Sequence, residues 1–201
     1  MTEAITEAIG RAVQVLRNGG VVAYPTDTLY GLAVDPRSPG AVRKLFDVKG
    51  REAGHAVPLI AVDLAQAERA AIFDARARRM AGEFWPGPLS LVLAAKPGLV
   101  NDILATDRSV AIRVPASDVA RAVAHRLDFC ITATSANLTG HPPTSSPSVV
   151  RQTLGDRIDF VLDAGESPGG APSTIVDLRE PSPRLVRAGA IAWERVLRSI
   201  E

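Results

Sequence analysis

Cysteine is nearly absent from this chain. Cys130 is the only one in 201 residues, so no internal disulfide can hold the fold. Its apolar setting, Asp128-Phe129-Cys130-Ile131, predicts a buried thiol in a reducing cytoplasm rather than a nucleophile. The three histidines, His55, His125 and His141, share no metal-ligand spacing, and one cysteine cannot complete a set with them. Aromatic residues make up 4% of the chain, too few to build stacking platforms for single-stranded nucleic acid. No apolar run approaches the ~20 residues of a membrane span. The first residues, MTEAITEAIGRAV, carry Glu3 and Glu7 and lack the basic and apolar regions of a signal peptide. Neither charge sign dominates: 23 basic against 22 acidic residues leave a net charge of +1, unlike a strongly basic nucleic-acid-binding domain. There is no G-x-x-x-x-G-K-[ST] or G-x-G-x-x-G motif, and Ser135 lies in no G-x-S-x-G elbow. A nucleotide would have to be gripped by side chains and loop amides.

What is present is an ample core. Hydrophobic residues reach 46%, and the length suits one α/β domain spanning 1–201. Ile5, Ile9, Ala12, Val13 and Leu16 fall at helical spacing, and Asn18-Gly19-Gly20 stops that helix. A strand over 21–24 follows. Ser38-Pro39 forms an N-cap and first helical position for a helix striped by Val42, Leu45 and Phe46. Residues 57–62 read as a short strand, Asp63 and Asp74 as caps of two more helices, and 89–94 as a strand after the Trp85-Pro86-Gly87-Pro88 turn. Residues 109–115 alternate, with Val110, Ile112 and Val114 on one face and Ala111 and Arg113 on the other. Ser117 caps a helix to about Leu127, and 129–133 is a strand. Residues 139–148 are loop, 149–154 a short helix, and 160–162, 174–178 and 185–187 are strands. Ile191, Val196, Leu197 and Ile200 mark a closing helix. Irregular alternation of helix and strand predicts an open, twisted mixed sheet rather than a simple doubly wound one.

The polar residues gather in a few places. Residues 24–32 read YPTDTLYGL, placing two threonines and an aspartate directly after a buried strand. A plain turn needs fewer polar groups, so the loop is expected to hold something. Lys49 and Arg51 stand at a helix end, where they either reach one anion together or simply oppose the helix dipole. Arg113 and Arg187 each sit alone on an otherwise apolar strand, either at an edge with the head in solvent or in an anion pocket. The hydroxyl-rich loops Thr134-Ser135-Ala136-Asn137 and Pro172-Ser173-Thr174 favour the pocket, since the planar arginine fork pairs with carboxylate or phosphate oxygens.

These motifs occur in a telling order: PTDTLYGL, K-x-R, PLI, WPGPL, S-x-A-I-R-x-P, TSAN-x-[ST]-G-x-P, ST-I-V-D and R-x-G-A-I. Together, over residues 19–191, they resemble the YrdC/TsaC family of L-threonylcarbamoyladenylate synthases, in its minimal single-domain form. The resemblance implies an open α/β sheet around a positively charged concave cavity. It implies a nucleotidyltransferase reaction in which L-threonine, bicarbonate and ATP, the last with Mg²⁺, give threonylcarbamoyl-AMP and pyrophosphate. The product would serve t6A modification of tRNA in the cytoplasm, with partner proteins performing the transfer. By the same resemblance Thr28, Arg113 and Ser173 line the threonine site. Lys49, Arg51, Ser109, Ser135, Asn137 and Arg187 stand on the ATP side, and no covalent nucleophile is needed. Two positions depart from many relatives: Glu52 replaces a proline after K-x-R, and Val62 replaces a histidine after PLI. Two alternatives stand beside the synthase. One is a carbamoyl-adenylate-forming relative, disfavoured by the single cysteine. The other is a tRNA- or double-stranded-RNA-binding module without ATP turnover, whose affinity would fall steeply with salt.

Overall fold

The computed structural model describes residues 1–50 and 56–200. Thr2 caps α1 (Glu3–Arg17), whose buried stripe is Ile9, Ala12, Val13 and Leu16. Strands β1 (Val22–Pro25) and β2 (Tyr30–Ala33) then form an antiparallel pair around the Thr26-Asp27-Thr28 loop, with Val22 opposite Ala33 and Pro25 opposite Tyr30. Ser38 caps α2 (Pro39–Lys49), and Gly50 ends it in the left-handed region at φ 61°. The expected 57–62 strand shortens to β3 (Leu59–Ile60). Pro58 brings no N–H, and the Val62 amide donates to the Gln66 side chain instead of a ladder. Asp63 and Asp74 cap α3 (Leu64–Ala70) and α4 (Ala75–Phe84), as their positions predict.

After β4 (Leu89–Ala94) and β5 (Ser109–Arg113), Ser117 caps α5 (Asp118–Leu127). The expected 129–133 strand shortens to β6 (Ile131–Thr132), and the expected loop over 134–137 begins instead as a short strand, β7 (Thr134–Ser135). The chain continues through α6 (Pro147–Leu154), β8 (Phe160–Val161), β9 (Thr174–Asp177), β10 (Arg184–Arg187) and α7 (Trp193–Arg198). The strands make two mixed sheets, ordered β7-β2-β1-β8 and β10-β9-β4-β5-β3-β6. The break at Ala133 has a physical cause. Here the chain leaves the larger sheet, where β6 pairs with β3, for the smaller, where β7 pairs with β2. Thr132 sews the junction: its Oγ1 accepts from the Val34 amide at 2.9 Å and donates to the Leu32 carbonyl at 3.2 Å.

Two apolar clusters back the sheets. In one, α1 and α5 pack Ile9, Leu16, Val123 and Leu127 against Val22, Tyr24 and Ile131. In the other, α2 and α4 bury Leu45, Phe46 and Met80 with Leu59, Leu91 and Ile112. Burying one such side chain contributes about 1.5–3 kcal/mol relative to exposure. Short helices like α4 therefore depend on packing more than on propensity. No helix among the described residues is long and apolar enough to cross a membrane.

Candidate active site

Strand ends and loops of both sheets meet around a cavity of about 180 Å³, below the ~300–1,000 Å³ of drug-sized sites. Thr26 and Thr28 enter from the β1–β2 loop, and Ser135 from β7. Arg113 enters from the end of β5, and Ser173 and Arg187 from the β9–β10 side. Gly31 also lines it, and a Cβ there would press on the Tyr24 ring at 3.3 Å and the Thr134 carbonyl at 3.4 Å. The volume suits a small polar substrate; a nucleotide would extend beyond it.

The two threonines do different work. Thr26 Oγ1 donates to the Leu29 carbonyl at 2.8 Å and accepts from the Thr28 and Leu29 amides at 3.2 and 3.3 Å. It closes the loop on itself, as serine and threonine hydroxyls do in turns. Thr28 Oγ1 meets only Thr26 Oγ1, at 3.2 Å, among the described residues, so its remaining capacity faces the cavity. Asp27 points elsewhere. It is not on the cavity wall, where a role beside the threonine hydroxyls was expected.

Asp27 instead stands behind Arg113. Arg113 Nη1 donates to Asp27 Oδ2 at 2.8 Å, and both side chains are about nine-tenths buried, at 11% and 12% exposure. The alternation in β5 explains the placement: Val110 and Ile112 are buried in the core, so Arg113 projects from the opposite face. Asp27 is the one hydrogen-bond partner of Arg113 among the described residues. That leaves other guanidinium N–H groups for a ligand. Removing one member of such a buried pair typically costs about 3–5 kcal/mol, because the other charge is left uncompensated.

Arg187 is held differently. Its Nε and Nη2 donate to the Ser173 carbonyl at 3.1 and 2.8 Å, and Nη2 reaches Ser173 Oγ at 3.0 Å. Ser173 Oγ lies 3.0 Å from Ser90 Oγ. Gly189 permits this approach, since a Cβ there would sit 2.3 Å from the Pro172 carbonyl oxygen. Burial, and then the like charge of Arg113, push the Arg187 pKa down. Two guanidiniums in one partly buried cavity favour an anion between them.

Lys49 is buried, at 3% exposure, rather than an exposed helix-end cation. Its Nζ lies 2.7 Å from the Ser135 carbonyl, 2.7 Å from the Asn137 carbonyl and 2.7 Å from Asn137 Oδ1. Ser135 Oγ lies a little farther off, at 3.4 Å, so oxygens of this loop surround the ammonium. Ser135 Oγ donates to Asn137 Oδ1 at 2.5 Å, and Asn137 Nδ2 donates to the His141 carbonyl. Lys49 therefore organises the loop carrying Ser135. Asn137 is buried within this network and is not on the cavity wall. Ser109 starts β5, at the end opposite Arg113. It donates to Asp107 Oδ1 at 2.6 Å and does not line the cavity. Arg51 and Glu52 lie outside the described residues. Val62 lines a separate small cavity with Trp85 and Pro86.

Cys130 is fully buried, and burial pushes its thiol pKa up to about 12, which fits an unreactive thiol. Among the described residues no group of three or more His, Cys, Asp or Glu side chains is placed to hold a metal. Sequence reasoning missed Ser90, which lies on a buried strand with no polar neighbours to mark it. It also missed the Asp27–Arg113 pair, although both residues had been singled out separately.

Known proteins are similar to this chain in sequence and fold. The chain is 39% identical over 164 residues to the threonylcarbamoyl-AMP synthase of Idiomarina loihiensis, covering 79% of this chain and 87% of that relative. It superposes on the crystal structure of Pyrococcus abyssi Sua5 complexed with L-threonine at a TM-score of 0.90 and 34% identity, over 96% of this chain. It spans 57% of that longer protein. The crystal structure of Escherichia coli YciO matches at a TM-score of 0.84 and 25% identity, over 97% of this chain and 93% of YciO. The Sua5/YciO/YrdC family model, described as telomere recombination, matches residues 14–189, and the chain belongs to that family.

Proposed function

We propose that this protein is a threonylcarbamoyl-AMP synthase, a nucleotidyltransferase that joins L-threonine, bicarbonate and ATP into threonylcarbamoyl-AMP and pyrophosphate. The observation that carries this reading is Arg113, which is buried at the cavity wall and braced by Asp27, with Thr28 and Ser173 lining the same cavity. A guanidinium with unused N–H groups beside hydroxyls suits a small hydroxylated amino acid, and a close structural relative is complexed with L-threonine.

In this reading the threonine carboxylate pairs with Arg113, and its hydroxyl meets Thr28 and Ser173. The amine combines with bicarbonate, losing water, to give a carbamate. A carbamate oxygen then attacks the α-phosphorus of ATP, and the bond to the β-phosphate oxygen breaks to release pyrophosphate. Both reactants are anionic, so positioned cations must offset their repulsion and stabilise charge on the leaving group. Arg187 faces that task from the cavity, with Arg51 proposed further along the nucleotide. Lys49 and Asn137 hold the Ser135 loop for it. Mg²⁺ arrives with ATP as part of the substrate, and no step is assigned to a resident metal. The product would feed t6A formation on tRNA in the cytoplasm through partner proteins, with at most a weak RNA contact by this chain itself.

Incubating the protein with ATP, threonine and ¹³C-bicarbonate tests the reading by mass spectrometry. The expected product is threonylcarbamoyl-AMP carrying one labelled carbon. AMP or ADP without a labelled adduct would overturn it.

A further inference from the structure

Three residues from neighbouring strands share one face of the larger sheet. Leu91 of β4 pairs with Ile112 of β5 on one side and with Val176 of β9 on the other, and all three are buried in the core. Side chains alternate along each strand, so the adjacent residues Ser90, Arg113 and Ile175 project from the opposite face. All three line the candidate active site. Ser90 and Ile175 are also direct partners in the β4–β9 ladder. Across β5, β4 and β9 the cavity therefore meets a cation, a hydroxyl and an aliphatic group, on strands about 4.8 Å apart.

The hydroxyl is not alone. Ser90 is 4% and Ser173 8% exposed. Among the described residues Ser90 Oγ meets only Ser173 Oγ, at 3.0 Å, and Ser173 Oγ meets in addition only Arg187 Nη2. A guanidinium can donate but not accept. Of the two hydroxyl protons, one therefore lies between the serines, and the other has no acceptor among the described residues. Buried donors are nearly always paired, so the serine pair suits an oxygen of a bound ligand. Ile175, half-buried beside it, offers the opposite chemistry, with no polar atom in its side chain.

We infer that Ser90, paired with Ser173, and Ile175 make the site distinguish the two configurations at the β-carbon of its amino acid. This rests on the proposed function, in which the threonine carboxylate pairs with Arg113. The hydroxyl on the β-carbon then meets the serine pair, and the methyl group meets Ile175. L-allo-Threonine carries the same two groups exchanged. With its carboxylate and reacting amine in the same places, it sets a methyl group against the serines and a hydroxyl against Ile175. Polar groups on both sides are then left unpaired, the mismatch that discriminates most strongly. A polar wall alone would detect only whether a hydroxyl is present. A polar and an apolar wall at fixed positions detect where it points.

Calorimetry on the full chain with L-threonine and L-allo-threonine tests this. Threonine should bind about a hundredfold more tightly. Equal affinity would overturn the inference and leave the functional reading standing. Binding of neither epimer, even with ATP present, would overturn the functional reading and the inference with it. Ser90→Ala and Ile175→Ala locate the effect, and each should bring the ratio to about tenfold or less. Ile175→Ala should also narrow the preference for threonine over serine, which lacks the methyl group. Partial misfolding would lower the number of sites for both epimers alike and leave the ratio of affinities unchanged. An unchanged ratio in either variant would overturn the role assigned to that residue.

Discussion

Lys49 Nζ lies 2.7 Å from both the backbone carbonyl and the side-chain oxygen of Asn137, 88 residues away in sequence. The end of α2 is thereby fastened to the loop that follows β7. This contact changes what a substitution at Lys49 does, because the acceptors it serves are buried.

Lys49→Ala should destabilise the fold by about 1–3 kcal/mol, the usual cost of leaving buried acceptors unpaired, and should also weaken ATP binding. An exposed helix-end lysine would give within about ±0.5 kcal/mol. Urea unfolding separates the two cases, and calorimetry with ATP reports the second effect. Arg187→Ala should weaken ATP binding with the fold retained.

Arg113→Ala and Thr28→Ala should chiefly raise the threonine requirement. Losing a charge-assisted contact costs about 1.5–3 kcal/mol, roughly ten- to a hundredfold in threonine KM. Steady-state kinetics with threonine varied checks this. Unchanged saturation in both variants would put the amino acid elsewhere. Arg113→Ala should in addition lower stability, since Asp27 loses its buried partner.

Amino-acid selectivity should follow the hydroxyls of Thr28 and Ser173. A site built to hydrogen-bond a hydroxyl rejects the analogue lacking it by roughly 10⁴–10⁵, whereas one missing methyl costs about 10–200-fold. Serine should therefore be a poor but measurable substrate and valine nearly inert, compared as kcat/KM. Valine matching serine would mean that the pocket reads shape alone.

Asp177 should make stability pH-dependent. Hydrogen bonds from Arg179, and then Arg184, hold its carboxyl well below the usual carboxylate range, and its side chain is 4% exposed. A depressed folded-state pKa gives stability that is present above the unfolded value near ~4. That stability is lost as pH falls through the lower folded value. Asp177→Asn should lower the melting temperature at pH 7, and the gap to the parent should close toward pH 2. A gap independent of pH would contradict this. Because Asp177 ties β9 to β10, which carries Arg187, the variant should also weaken ATP binding.

Much of the fold was legible because its signals are local. Ser38, Asp63, Asp74 and Ser117 each accept from an amide three residues on, and the alternation of 109–115 placed Arg113 on the face away from the core. The Asp27–Arg113 pair joins residues 86 apart, and Lys49 is buried by a loop equally remote. Such contacts follow from how two sheets meet, which no local pattern encodes. The same holds just after Ala133: the polar Thr134-Ser135 reads as loop until its pairing with β2 is known. Ser109 shows the reverse limit. The resemblance put it on the ATP side, yet its hydroxyl donates to Asp107 at the far end of β5, away from the cavity.

Pyrophosphate release from ATP tests the central claim most directly, measured with threonine and bicarbonate together, each alone, and neither. The account predicts rapid release only when both are present, with little above background otherwise. Release indifferent to both additives, or none under any condition, would contradict it.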